Sequence, residues 1–207
     1  MEMRNEQCLD NFETVILANG SYPVHEVPLN ILQHASHVVA CDGAVSHYPL
    51  AEIIVGDGDS VPEAFRNRLI QIDEQEDNDL TKATRYCLAQ GWHRIAYLGA
   101  TGKREDHTIG NISLLMRYYR TMGVDGVMLT NHGVFTPVQG RQTFESFKGQ
   151  QVSIFNFGST KIVSEGLRWQ SYGYEEWWQG TLNEAVGDSF TLEADGYYLV
   201  FRTYDGC

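Results

Sequence analysis

Six short stretches of near-continuous apolar sequence constrain this chain more than any other feature. They are TVILANG (14–20), HVVACD (37–42), EIIVGD (52–57), LIQID (69–73), RIAYLGA (94–100) and GVMLTN (126–131). A strand with one face in water alternates apolar and polar side chains. A run that is apolar at nearly every position is buried on both faces, as in a parallel sheet covered by helices. Between the runs lie helical candidates. NDLTKATRYCLAQG (78–91) sets Leu80, Ala83, Thr84 and Cys87 on one face and ends at Gly91, and DHTIGNISLLMRYYRTMG (106–123) has a similar apolar face and stops at Gly123. This alternation predicts an α/β N-terminal domain with a mostly parallel, Rossmann-like sheet.

From about residue 134 the texture changes. Short β-like runs follow one another with Gly, Ser and Lys at the breaks, and no good helix appears. Asp195-Gly196, between two β-rich runs of DSFTLEADGYYLVFRTYDG, is a strong hairpin signal. We expect a C-terminal all-β sandwich domain. The expected division is 1–133 and 134–207, marked by little more than NHGV (131–134). At 207 residues, either one large core or two smaller ones can be buried.

Charge and cysteine usage narrow the function classes. With 27 acidic against 15 basic residues the net charge is -12, which argues against a broad footprint on nucleic acid or an anionic membrane. A small anionic ligand stays open, because a bound cation reverses the local field. Cys8, Cys41, Cys87 and Cys207 are widely spaced, without a C-x-x-C, and read as reduced intracellular thiols. The opening MEMRNEQCLDNFE has no apolar segment of the kind a secretory leader needs, and no run is long enough to span a bilayer. The expected location is the cytoplasm.

In an open parallel sheet, ligands bind at the carboxyl ends of the strands. HVVACDGA delivers Asp42 to that edge, and EIIVGDGDS delivers Asp57 and Asp59. RIAYLGATGKREDH delivers a glycine-rich turn with Lys103, Arg104 and Asp106, and EDNDLTKA opens a helix with Asp77, Asp79, Thr81 and Lys82. Singly, each aspartate reads as a turn former or helix N-cap, Asp79 in particular. Four clusters on one edge read differently. Carboxylates gathered there suit magnesium, which takes one or two of them together with substrate phosphates and water. Asp57 and Asp59 project the same way if the chain stays extended. Cations and turn N–H groups would hold phosphate oxygens.

Several other chemistries are excluded. GATGKRE (99–105) lacks the spacing of a P-loop, and Arg104 stands where Ser or Thr is needed. There is no G-x-G-x-x-G after the first strand and no G-x-S-x-G elbow, and Ser60 reads as a turn residue rather than a nucleophile. No histidine pair has zinc spacing, and His107 reads as a hydrogen-bonding residue. In GLRWQSYGYEEWWQGTLNEA, Trp169, Tyr172, Tyr174, Trp177 and Trp178 read mostly as packing. Aromatics can also sandwich a cationic ring, with Thr181 and Asn183 close by for polar contacts.

The ordered set CDGA (41–44), GDGDS (56–60), DNDLTKA (77–83) and GATGKREDHTIGN (99–111), with the later GLRW (166–169) and GTLNE (180–184), resembles the thiamin pyrophosphokinase family over nearly the whole chain. The resemblance implies a homodimer that uses ATP and magnesium (Mg2+) to transfer a pyrophosphoryl group to thiamin, releasing AMP. It implies that Asp42, Asp57, Asp59 and Asp79 are the catalytic carboxylates, with Asp57, Asp59 and Asp79 on the metal. It also implies that Ser60, Thr81, Lys82, Gly99, Thr101, Gly102, Arg104, Asp106, His107 and Asn111 face the nucleotide and its phosphates. Gln75, Trp169, Thr181 and Asn183 would contact thiamin, in a site shared between chains. The chain departs from the family at Leu182, where the family often has serine, and Thr181 is the available substitute. Two other readings fit the same edge: a pyrophosphokinase acting on a hydroxymethylpterin, and a nucleotide-binding regulator without turnover.

Overall fold

Residues 12–205 are described by the structure, a computed structural model. Cys8, Cys207 and the opening residues 1–11, on which the absence of a leader was expected, lie outside the described residues. The chain divides into two compact units, one ending at Asn131 and the other beginning at His132.

In the first unit the apolar runs become six strands: β1 (Thr14–Leu17), β2 (His37–Cys41), β3 (Ile53–Gly56), β4 (Leu69–Gln71), β5 (Arg94–Leu98) and β6 (Asp125–Leu129). Every pairing among them is parallel, in the order β6-β5-β1-β2-β3-β4. Val15, Ile16, Val39, Ala40, Ile95, Ala96 and Tyr97 are fully buried, which explains why these runs lack alternation. The outermost, β4, is three residues long and only partly buried, as an edge strand must be to avoid pairing with other chains. The chain proceeds outward from β1 to β4 and then returns to place β5 on the other side of β1. β1 and β5 therefore flank the topological switch point, where an open parallel sheet leaves a crevice.

Three helices connect the strands: α1 (Glu26–His34), α2 (Asp79–Ala89) and α3 (Glu105–Met122). The α2 face expected from sequence is buried through Leu80, Ala83, Thr84 and Cys87. Its N-cap is Asn78, whose side chain accepts the Thr81 N–H at 3.0 Å, so Asp79 is the first helical residue and not the cap. α3 ends on Gly123 in the left-handed conformation, φ 68°. Among the described residues, no helix is long and apolar enough to cross a membrane. Cys41 and Cys87 are free, buried thiols.

The second unit contains β7 (Gly133–Glu145), β8 (Gln151–Asn156), β9 (Ile162–Glu165), β10 (Asn183–Glu184) and β11 (Ser189–Thr203), all paired antiparallel. β11 is the spine. One edge pairs along β7; the other pairs with β9 through Thr191–Ala194 and with β8 through Tyr198–Arg202. The core includes Phe144 and Phe190, stacked at 5.0 Å, with Ile154, Leu192 and Tyr198 around them.

Asp195-Gly196 is not a hairpin. It lies inside β11, where the register with β7 shifts between Glu193 and Tyr197. The Asp195 carboxylate accepts the N–H groups of Thr160 and Lys161, at 2.9 and 3.0 Å, and the Thr160 hydroxyl. A Cβ at Gly196 would stand 3.0 Å from the Gly158 carbonyl oxygen. The pair is a bulge that pins a neighbouring loop, a role that shares the Asp-Gly signature with a turn.

Candidate functional site

The site is built where β1 and β5 end. Their pairing continues beyond both strands as a backbone zipper: Ala18 N–H to Leu98 O (2.8 Å), Gly20 N–H to Gly99 O (2.6 Å) and Ser21 N–H to Thr101 O (2.8 Å). Gly20 is required by this approach, since a Cβ there would sit 2.2 Å from the Gly99 carbonyl oxygen. Gly99 turns with φ 62°, where a Cβ would meet the Ala18 oxygen at 2.4 Å. Lys103 closes the same junction by donating to the Asn19 carbonyl oxygen at 2.9 Å.

After β2 the backbone at Asp42 adopts φ 42°, a positive value that is uncommon outside glycine. Its carboxylate is nearly buried, and the two oxygens accept Gly58 N–H at 3.0 Å and Ser60 N–H at 2.9 Å. Asp42 thereby fastens the Asp57–Ser60 turn. Gly56 leaves room for it, because a Cβ there would stand 2.9 Å from the Asp42 Cβ. Asp57 and Asp59 are not in an extended segment. Gly58 has φ 87°, and Asp57 accepts the Asp59 N–H at 3.1 Å. They sit in an Asx-type turn.

The third wall is the start of α2. Asn78 caps the helix and donates from its amide to Asn111 Oδ1 at 3.1 Å, and Asn111 donates in turn to the Ala100 oxygen at 2.7 Å. Thr81 is buried, with its hydroxyl 3.0 Å from Asn78 Oδ1 and 2.6 Å from the Tyr118 hydroxyl. The Lys82 side chain is 3 % exposed, and its ammonium lies 3.3 Å from Asp79 Oδ1. Burial raises the Asp79 carboxyl above its ordinary value; Lys82 opposes that shift, and the charges of Asp42 and Asp57 add to it. Burial also pushes the Cys41 thiol well up, and its Sγ donates to the Asp79 carbonyl oxygen. Cys41 is therefore an unreactive floor residue.

These walls enclose a cleft of about 330 Å³. Of the residues expected from sequence, Asp42, Ser60, Asp79, Gly99, Thr101, Arg104, His107 and Asn111 line it. Asp57 and Asp59 are not among its lining residues; they stand on the turn that Asp42 fastens. Thr81 and Lys82 lie in the packed layer beneath, and Gly102 holds the Ser21 hydroxyl through its carbonyl at 2.8 Å. Asp106 pairs with the Arg104 guanidinium, whose hydrogen bond holds its carboxyl below the usual range. Gln75 is exposed and donates to the Asp73 carbonyl oxygen at 3.3 Å. Asn19, Gly20, Asn78, Lys103 and Thr108 also line the cleft. The signals for the first three were the Asn-Gly pair ending the first apolar run and the capping residue beside Asp79.

Trp169, Thr181 and Asn183 belong to the second unit. Asn183 is buried and clamps the Trp169 backbone, accepting its N–H at 3.1 Å and donating to its oxygen at 2.7 Å. The Thr181 hydroxyl donates to the Trp178 oxygen at 2.7 Å. Leu182 stands exposed with φ 62°. The aromatics here are less of a core than the sequence suggests. Tyr174 is buried, and Trp177 packs on Phe155 and Phe157. Trp169, Tyr172 and Trp178 are each more than half exposed.

Among the described residues, no three Asp, Glu, His or Cys side chains gather closely enough to hold a metal ion unaided. The carboxylate oxygens of Asp42 and Asp79 on the cleft are hard donors of the kind a divalent cation such as magnesium takes together with phosphate and water.

Residues 29–124 match the family model described as thiamin pyrophosphokinase, catalytic domain, and residues 133–201 match thiamin pyrophosphokinase, substrate-binding domain. A Caenorhabditis elegans protein named thiamin pyrophosphokinase 1 is 31% identical over 105 residues, covering 43% of this chain and 43% of that relative's length. The yeast thiamin pyrophosphokinase structure superposes with a TM-score of 0.77 at 16% identity, covering 98% of this chain and 92% of that one. The Bacillus subtilis thiamine pyrophosphokinase structure gives 0.72 at 19% identity, covering 93% and 99%. At such identities the superpositions establish the shared fold.

Proposed function

This chain belongs to the thiamin pyrophosphokinase family, and from that premise we propose that it transfers the pyrophosphoryl group of ATP to the thiamin hydroxyl, giving thiamin diphosphate and AMP. The observation that carries this reading is the cleft at the β1/β5 switch point, where a glycine-rich turn, carboxylates and cations converge. We read the first unit as a Rossmann-like catalytic domain and the second as a β-sandwich that contributes to thiamin binding. The assembly is a cytoplasmic homodimer with the substrate site shared between chains.

The thiamin hydroxyl oxygen forms a bond to the β-phosphorus while the bond from that phosphorus to the α,β-bridging oxygen breaks, and AMP leaves with the electron pair. Positioning and charge neutralisation dominate such a transfer. The turn Gly99–Gly102, with Ser60, Thr101, Arg104, His107 and Asn111, orients the nucleotide. Asp57, Asp59 and Asp79 would hold magnesium, which when bound neutralises the phosphate oxygens that gain charge. Asp42 fixes the turn bearing Asp57 and Asp59. A carboxylate of this face accepts the hydroxyl proton. Gln75, Trp169, Thr181 and Asn183 are assigned to thiamin, whose cationic ring suits an acidic, aromatic environment.

The test is direct. Purified protein incubated with ATP, magnesium and thiamin should yield AMP and thiamin diphosphate in equal amounts, followed by chromatography and phosphorus NMR. ADP with thiamin monophosphate as the products, or no AMP at all, would overturn the reading.

A further inference from the structure

The cations near the cleft are not equivalent. Lys82 is buried and already paired with Asp79. The Arg104 guanidinium is engaged by both oxygens of Asp106. Lys103 differs from both. Its ammonium donates to the Asn19 carbonyl oxygen at 2.9 Å and reaches the Asn19 side-chain oxygen at 3.4 Å, and both acceptors are uncharged. Among the described residues no carboxylate lies within ion-pair distance of it, although acidic residues outnumber basic ones by 27 to 15. Lys103 lines the cleft, directly after the zippered turn. Two neutral oxygens fix the ammonium in place without cancelling its charge, and one of its three N–H donors is left over. Holding a compact cation on a glycine-rich turn is the physical arrangement that recognises phosphate, even though GATGKRE does not meet the P-loop pattern.

We propose that Lys103 binds the polyphosphate chain of the nucleotide donor and so sets the preference for a nucleoside triphosphate over the same nucleoside with fewer phosphates. This deepens the reading above and rests on it: the cleft must take a nucleoside triphosphate. Lys103 supplies the uncommitted positive charge on a face where Asp42 and Asp79 would otherwise repel the donor. Its tie to Asn19 also couples phosphate binding to the loop after β1, because both loops are joined through Gly20 and Gly99.

The experiment compares wild type, Lys103→Met and Lys103→Arg by calorimetric titration with magnesium-ATP, AMP and adenosine. Methionine keeps the stem and removes the charge. Because the side chain is exposed, a surface substitution of this kind should leave the melting temperature within about 2 °C of wild type. Lys103→Met should raise the ATP dissociation constant about tenfold while leaving adenosine within about twofold, and should weaken the salt dependence of ATP binding. Lys103→Arg should stay within about threefold of wild type for ATP, since the charge remains. Equal losses for ATP and adenosine in Lys103→Met would mean that the residue only braces the loops, and would overturn the proposal. Unchanged ATP affinity in that variant would overturn the lysine assignment alone. A wild-type protein that binds no ATP would overturn the functional reading, and the role of Lys103 with it.

Discussion

The carboxylate of Asp42 can be tested by removing one oxygen from its chemistry. In Asp42→Asn the shape is kept, and asparagine is among the residues that best tolerate positive φ, so the backbone at 42° gains no strain. What changes is that one of two oxygens, each accepting a backbone N–H at 3.0 and 2.9 Å, becomes an amide nitrogen. Whichever way the amide turns, a donor faces a donor in a nearly buried position. A hydrogen bond to a charged group contributes about 1.5–3 kcal/mol, and removing a charge that repels Asp79 returns a fraction of that. The expected loss is about 1.5 kcal/mol, or roughly 6 °C in melting temperature for a unit of this size. Asp42→Gly relieves the φ strain but surrenders both bonds, and should melt lower still. Urea and thermal unfolding followed by circular dichroism measure both. An Asp42→Asn variant melting within about 1 °C of wild type, or a glycine variant above it, would refute the view that Asp42 fastens the turn.

Two further perturbations probe other joints of the structure. Gly20→Ala places a Cβ 2.2 Å from the Gly99 oxygen and 2.5 Å from the Thr101 oxygen, so the zipper must part; a loss of about 2 kcal/mol and weakened ATP binding are expected, read by urea unfolding and calorimetry. Asp195 has its carboxyl held below the usual value, first by the Thr160 hydroxyl. A depressed folded-state pKa gives stability that is present above the unfolded value near 3.8 and lost as pH falls through the folded one. The stability advantage of wild type over Asp195→Asn should therefore be full at pH 7 and shrink steadily below about pH 4; an advantage independent of pH would count against the assignment.

The parallel strands were readable because burial on both faces writes itself as uninterrupted apolar sequence, and α2 and α3 because apolar faces end at glycines. α1 was not seen. Its N-cap is His25, whose ring nitrogen accepts the Val27 N–H at 3.2 Å in place of the usual hydroxyl or carboxylate cap. Pro28 also looks like a breaker, yet it falls in the first turn, where its missing N–H costs nothing. In the site, the aspartates and the glycine-rich turn were legible as residue types at strand ends. Their division of labour was not. Which aspartate accepts backbone N–H groups, which lysine is buried, and which arginine is engaged by a neighbour are settled by approaches between segments far apart in sequence. The bulge at Asp195-Gly196 shows the same limit: one dipeptide serves a turn or a bulge, and long-range partners choose between them.

The position of β11 has a bearing on how the chain is made. Residues 189–203 supply one side of the pairings of β7, β8 and β9, so none of those strands can complete its hydrogen bonding until residue 203 has left the ribosome. The unit ending at Asn131 needs nothing so distant, since each of its strands pairs with others made before residue 130. The parallel pairings among β1 to β6 therefore close without any residue of β11, whereas β7, β8 and β9 all wait for the last strand of the chain.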